Sequence, residues 1–132
     1  MEKLTKTNFV KNAEDVILSL RVKDKRSGKV KINITTSKIR NLLAMSNNLM
    51  SRAEKESAEK LSEDVLSDIQ YMKMKFAYEA GRDQRIVKDF IDKANIMQYI
   101  DTIGESREEL LLFCKYMESL VAYHKFYGGR ER

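Results

Sequence analysis

Proline is absent from all 132 residues, and only five glycines, Gly28, Gly81, Gly104, Gly128 and Gly129, are available to bend the chain. These two residue types interrupt helices most strongly, proline by removing an amide and clashing, glycine by its conformational entropy. With breakers so few and so localised, the chain is expected to form long helices joined by short turns. The length suits one domain with a real but small core. Residues 1–132 therefore read as a single all-α domain, a compact bundle of about five helices.

Apolar residues at three- and four-residue steps place the helices. Phe9, Ala13, Val16, Ile17 and Leu20 mark a first helix from Asn8 to Leu20, with Thr7 as its cap. The stretch RVKDKRSGKVK, Arg21 to Lys31, turns at Gly28, and Val30, Ile32 and Ile34 then alternate with Lys31 and Asn33. That alternation fits a short strand or an extended linker. A lone hairpin is marginal in water, so the segment at about 21–35 is read as an exposed basic loop. A second helix starts at Thr36 or Ser37 and runs to about Glu59, with Ile39, Leu42, Leu43, Ser46, Leu49, Met50 and Ala53 inward. Its charged end, Ser51 to Lys60, is prone to fray. Ser62, Glu63 and Asp64 start a third helix that turns Val65, Ile69, Met72, Phe76 and Ala80 inward and stops at Gly81.

Asp83 can cap a fourth helix through Ile86, Val87, Phe90, Ile91, Ala94, Met97 and Ile100 to Gly104, with Asn95 a point where it can break. Ser106 and Glu109, three apart, form a reciprocal capping box for the last helix, which Gly128 and Gly129 end near Tyr127. One apolar stripe on it is Leu110, Phe113, Met117, Leu120, Val121 and His124; a second is Leu112, Tyr116, Tyr123 and Tyr127. A helix apolar on most sides is buried on more than one face, and in so small a domain part of that surface should meet another chain.

No enzyme signature is present: no HExxH, CxxC, GxxxxGK[ST] or GxSxG. One His and one Cys leave little to hold a metal, and neither a metal nor a cofactor is expected. Cys114 lies in an apolar run and reads as a small core residue. His124 stands ten residues on, about 15 Å along the same helix, too far to activate the thiol. It reads as a packed or interface histidine. No apolar run is long enough to span a membrane, and Met1 to Val10 lacks the apolar core of a secretory signal, so a cytoplasmic protein is expected.

The formal net charge is +5 and the pI about 9.3, a modest bias that suits a polyanion. Lys38 and Arg52 share a face of the second helix with Asn41 and Asn48, a set that can meet phosphates and 2′-hydroxyls. Lys75 and Arg82 share a face of the third helix, with Glu79 between them, and Arg85 and Lys88 follow the turn. Asp83 and Asp89 dilute this corner. Tyr123, Phe126 and Tyr127 with Lys125 and Arg130 could stack on bases. Because these aromatics, like Tyr116, continue the apolar stripes, a core or subunit-interface role is preferred.

The stretches INITTSKIRNLLAMSNNL (Ile32–Leu49), YMKMKFAYEAGRD (Tyr71–Asp83), IVKDFIDKANIM (Ile86–Met97) and FCKYMESLVAYHKFYGG (Phe113–Gly129) together resemble the small-subunit family of the type III-A CRISPR effector, the Csm complex. The basic loop is not part of that pattern. The resemblance implies a five-helix fold without enzymatic activity. It implies several copies associating with one another along a duplex of guide crRNA and target RNA, beside the backbone subunits and against the large polymerase-like subunit. It also implies basic residues on the target strand, adding Arg40 and Lys73 to Lys38, Lys75 and Arg82. Base pairing would read the sequence while the protein holds only backbone. Two other readings compete: a helical protein–protein scaffold without RNA contact, and a carboxylate-based, metal-dependent nuclease, against which the scarcity of His and Cys argues.

Overall fold

The computed structural model describes residues 2–129. Among them the order is α1 (Phe9–Ser19), β1 (Arg21–Lys23), β2 (Val30–Ile32), α2 (Thr36–Lys55), α3 (Glu63–Arg82), α4 (Val87–Lys93), α5 (Ile96–Ile103) and α6 (Arg107–Phe126). The all-helical expectation is met apart from the short hairpin. Helix α6 is the axle: it packs on α1, α2 and α5, while α3 lies on α2 and touches α4 and α5. Leu110, Phe113, Met117 and Leu120 of one α6 stripe and Leu112 and Tyr116 of the other are all buried.

The extra helix comes from Asn95. It sits in the left-handed region, φ 54°, where Asn is tolerated better than most residues, and it splits the fourth helix into α4 and α5. The Tyr116 hydroxyl donates to the Ala94 carbonyl at the break, 2.7 Å, so a backbone acceptor freed by the kink is satisfied inside the core.

Some helix ends follow the capping rules and others depart from them; α4 and α5 begin at Ile86 and Asn95 without a side-chain cap bond. Ser62 and Ser106 accept from the amides of Val65 and Glu109, as expected. The box at Ser106 is not reciprocal, however: Glu109 pairs with Lys3 at 3.0 Å, and the Ser106 amide donates to Ile103 instead. Ser106→Ala is expected to cost about 1 kcal/mol, visible as a drop of a few degrees in a thermal melt. Thr7 does not cap α1. Asn8 occupies that position, and its side chain accepts from the Thr5 amide outside the helix. Helix α2 ends at Lys55 rather than near Glu59, because the Arg107 guanidinium donates to the Ala53 carbonyl, 2.6 Å, and satisfies the helix end from another element. The following connection is tied to the α5–α6 turn by the Leu61 amide on Glu105 and the Arg107 amide on Glu59.

The segment expected as a loop is an antiparallel hairpin, with Arg21, Val22 and Lys23 opposite Ile32, Lys31 and Val30. Its base supplies what a lone hairpin lacks. Leu20, Ile32 and Ile34 are buried, and Arg21 lies over the Tyr127 ring, 5.6 Å from its centre. Buried His124 donates from Nε2 to the Ile34 carbonyl, 2.7 Å; a carbonyl only accepts, so that nitrogen carries the proton. The end of α6 closes over the same histidine. Gly128, at φ 78°, and Gly129 return their amides to Lys125 and His124, the paired bonds of a Schellman stop. A Cβ built on Gly129 would lie only 2.0 Å from the nearest atom of the buried His124 ring. Only glycine therefore fits that position.

Candidate nucleic-acid interface

Helices α2 and α3 run antiparallel with an open groove between them. Asn41, Met45, Lys75, Tyr78, Glu79 and Arg82 line about 450 Å³ of it, and Lys38, Asn41, Arg82 and Asp83 line its continuation. The groove is bracketed by two ion pairs between the helices, Lys38 with Asp83 at 2.5 Å and Arg52 with Asp68. The Asp83 carboxyl is held below the usual range chiefly by the Lys38 ammonium, against a smaller upward push from burial and with help from the Ile86 amide. Asp83 thus clamps α2 and also caps the turn into α4.

The structure brings together Lys38, Lys75 and Arg82, with Arg52 at the far end of the same groove. It does not bring in the others. Arg40 is exposed but lies about 100° round α2 from Asn41. Lys73 lies about 160° round α3 from Lys75 and pairs with Asp101 at 2.6 Å. Lys88 pairs with Asp92 one turn on, at 2.9 Å. Arg85 lines a separate small cleft with Val22, Asn33 and Lys93, at the base of the hairpin. With Arg82 beside Glu79, five of the eight candidate cations already face a carboxylate. Exposed pairs of this kind are worth little, so a phosphate can compete for their cations, though not freely.

Two residues of this surface escape the sequence reading. Tyr71 and Tyr78 are 56% and 61% exposed, and each has a cation on its ring: Lys75 at 4.7 Å and Arg82 at 5.8 Å. The signal is legible, since the tyrosines are seven apart and each precedes its cation by four.

Of the aromatic set, Tyr116 needs correcting. It is fully buried, its hydroxyl is spent on Ala94 and its ring is edge-on to Tyr99, so it presents no surface to another chain. Tyr123, Phe126 and Tyr127 do cluster, with ring centres 5.0–6.5 Å apart, and Phe126 is 75% exposed. The Tyr127 hydroxyl donates to Glu14. Arg130 lies outside the described residues.

Burial pushes the Cys114 thiol up to about 12, and the sulfur lies 3.6 Å from the Ser46 carbonyl, the contact of a core residue. Among the described residues no three His, Cys, Asp or Glu side chains could hold a metal ion, and no helix is long and apolar enough to cross a membrane. A larger cavity, about 670 Å³, lies beside the start of α6, lined by Lys6, Phe9, Arg107, Leu111 and Lys115 among others. None of the candidate residues borders it.

Comparison with known proteins agrees with the family resemblance that the motifs carry. Residues 13–130 match the family described as Csm2 Type III-A. The CRISPR system Cms protein Csm2 of Streptococcus thermophilus is 42% identical over 97% of this chain and 98% of its own length. The protein of the same name from Enterococcus italicus is 42% identical over 81% of this chain and 79% of its own. The one from Mycobacterium tuberculosis is 34% identical over 95% of both. With the match running from within α1 to the end of α6, the chain belongs to the Csm2 type III-A family.

Proposed function

We propose that this chain is the non-catalytic small subunit of a cytoplasmic type III-A CRISPR complex. It stacks in several copies along the guide crRNA–target RNA duplex and holds the target backbone through the α2–α3 groove. Relatives over the full length carry the CRISPR system name. The observation that carries the RNA reading is the convergence of Lys38, Lys75 and Arg82 with Asn41 in one open groove. Cations there exchange condensed counterions for phosphates without reading bases. One groove makes few contacts, so repeated copies on one strand supply avidity. Tyr123, Phe126 and Tyr127 are the proposed contact with neighbouring backbone subunits, the large polymerase-like subunit or another copy, as an exposed aromatic cluster suits.

The test is target-RNA binding by the assembled complex carrying Lys38→Ala, Lys75→Ala and Arg82→Ala. Affinity is expected to fall roughly tenfold or more, with a shallower dependence on salt. Unchanged affinity and slope would remove the groove from the account. Asp83→Asn should act in the opposite direction. Asparagine still accepts from the Ile86 amide but frees Lys38, so RNA affinity should rise about two- to fivefold. The same substitution removes a titrating clamp. Because the folded carboxyl is depressed, its contribution to stability is complete above pH 3.8 and fades as pH falls through the folded value. Thermal melts of the two proteins should therefore converge as the acid limb is descended.

A further inference from the structure

The positive charge of this protein is not spread over its helices. Between Arg21 and Ile32, six cations, Arg21, Lys23, Lys25, Arg26, Lys29 and Lys31, stand against one acid, Asp24, a net charge equal to the +5 of the whole chain. The rest of the molecule is formally neutral. We propose that the β1–β2 hairpin is a second phosphate-binding element, an arm that grips an RNA strand by its backbone. It rests on reading the chain as a subunit that works against RNA.

The hairpin cations are available where most of the helical candidates are not. Lys38, Arg52, Lys73, Arg82 and Lys88 are engaged with carboxylates. Among the described residues, none of the six hairpin cations takes part in an ion pair; Arg21 alone is occupied, over Tyr127. The single acid is turned into the loop. Asp24 accepts from the Arg26 amide at 2.8 Å, which with the nearby Lys31 charge holds its carboxyl below the ordinary range. Six like charges on one ribbon repel, and a polyanion relieves that repulsion as it binds.

The shape agrees. Away from their base the strands are open, and Val22 and Val30 are 40% and 51% exposed. The ribbon is nevertheless held firmly at its base by Ile32, Ile34 and the His124 bond. Strand alternation sends Arg21 and Lys23 to one face and Lys31 to the other, with Lys25 and Arg26 at the tip. Cations on both faces and at the end suit a flexible phosphodiester strand that can pass round the ribbon. A folded acidic protein surface would meet one face and strand the rest. At its base the hairpin joins the cleft of Arg85 and Lys93, whose Ile86 adjoins the groove end lined by Lys38, Arg82 and Val87. Arg85, which the groove leaves out, is thereby brought beside the hairpin.

The test is binding of the full chain to a fluorescein-labelled 30-nucleotide polyuridine RNA, read by anisotropy across a potassium chloride series. The variant Lys23→Ser, Lys25→Ser, Arg26→Ser and Lys29→Ser spares Arg21 and the buried base, and should melt no lower than the unaltered chain. Its slope of log affinity against log salt should be shallower by about 3, since each single-strand phosphate contact contributes about 0.7. Its Kd at low salt should rise at least tenfold. Replacing Lys23, Lys25 and Lys29 by arginine should preserve both. If the serine variant binds as the unaltered chain does while Lys75→Ala with Arg82→Ala weakens binding, the arm is overturned and the groove stands. If the serine variant keeps its RNA affinity but no longer joins the other subunits, the hairpin serves an acidic protein surface and the proposal is equally overturned. No RNA binding by the unaltered chain, even at 20 mM salt, would sink the arm and the groove together.

Discussion

Phe113→Ala is expected to melt roughly 10–20 °C below the unaltered protein, a far larger loss than truncation of any surface side chain should cause. Phe113 is fully buried on α6, the helix that packs against α1, α2 and α5 at once. Removing the ring loses its transfer free energy and leaves a cavity walled by elements that cannot all close in together. Such truncations cost about 3–5 kcal/mol. A domain of this length has about 7–20 kcal/mol in total, and each kilocalorie moves its midpoint by about 3–5 °C. Phe113→Leu fills most of the space and should cost about 1.5 kcal/mol or less. If Phe113→Ala melted within about 3 °C of the parent, α6 would not be the axle of the fold.

His124→Ala should cost about 2–4 kcal/mol, for two separable reasons. The ring fills buried space under Gly129, and its Nε2 proton serves the Ile34 carbonyl ninety residues away in sequence. His124→Phe keeps the volume and removes the donor, so about 1–3 kcal/mol of the loss should remain in that variant. Its signature is local: amide exchange should accelerate at Ile32 to Ile34 and at Gly128 and Gly129, while the α3 core, around Phe76, keeps its protection. Uniform acceleration across the chain would mean that the histidine supports the bundle as a whole and does not tie the hairpin to α6.

Much of the helical order is legible in the sequence because it is local. Three- and four-residue spacing marks the buried faces of α2 and α3, from Ile39 to Ala53 and from Val65 to Ala80, and Ser62 and Ser106 stand where their hydroxyls are needed. What is not legible depends on partners distant in sequence. The hairpin is stable because Tyr127 and His124 meet it from the far end of the chain. Helix α2 stops early because Arg107 reaches its carbonyls. The same division holds for the candidate interface. Helical angles alone put Lys75 with Arg82, and Lys38 with Asn41. They also set Lys73 and Arg40 apart from those stripes, which the grouping implied by family resemblance does not respect. The carboxylates that occupy Lys38, Arg52 and Lys73 come from neighbouring helices, and no spacing within one helix announces them. Tyr116 belongs to the core and not to an interface, a distinction that apolar periodicity cannot draw, because it marks burial without saying whether the cover is the same chain or another.

The uneven placement of charge makes the molecule a strong electric dipole with a neutral trunk. In the field of a nucleic acid such a molecule would turn before it touched, arriving hairpin first, and low salt should quicken that approach. Identical trunks with no net charge can meanwhile lie flank to flank without long-range repulsion, an arrangement that a protein of the same charge spread evenly over its surface would resist.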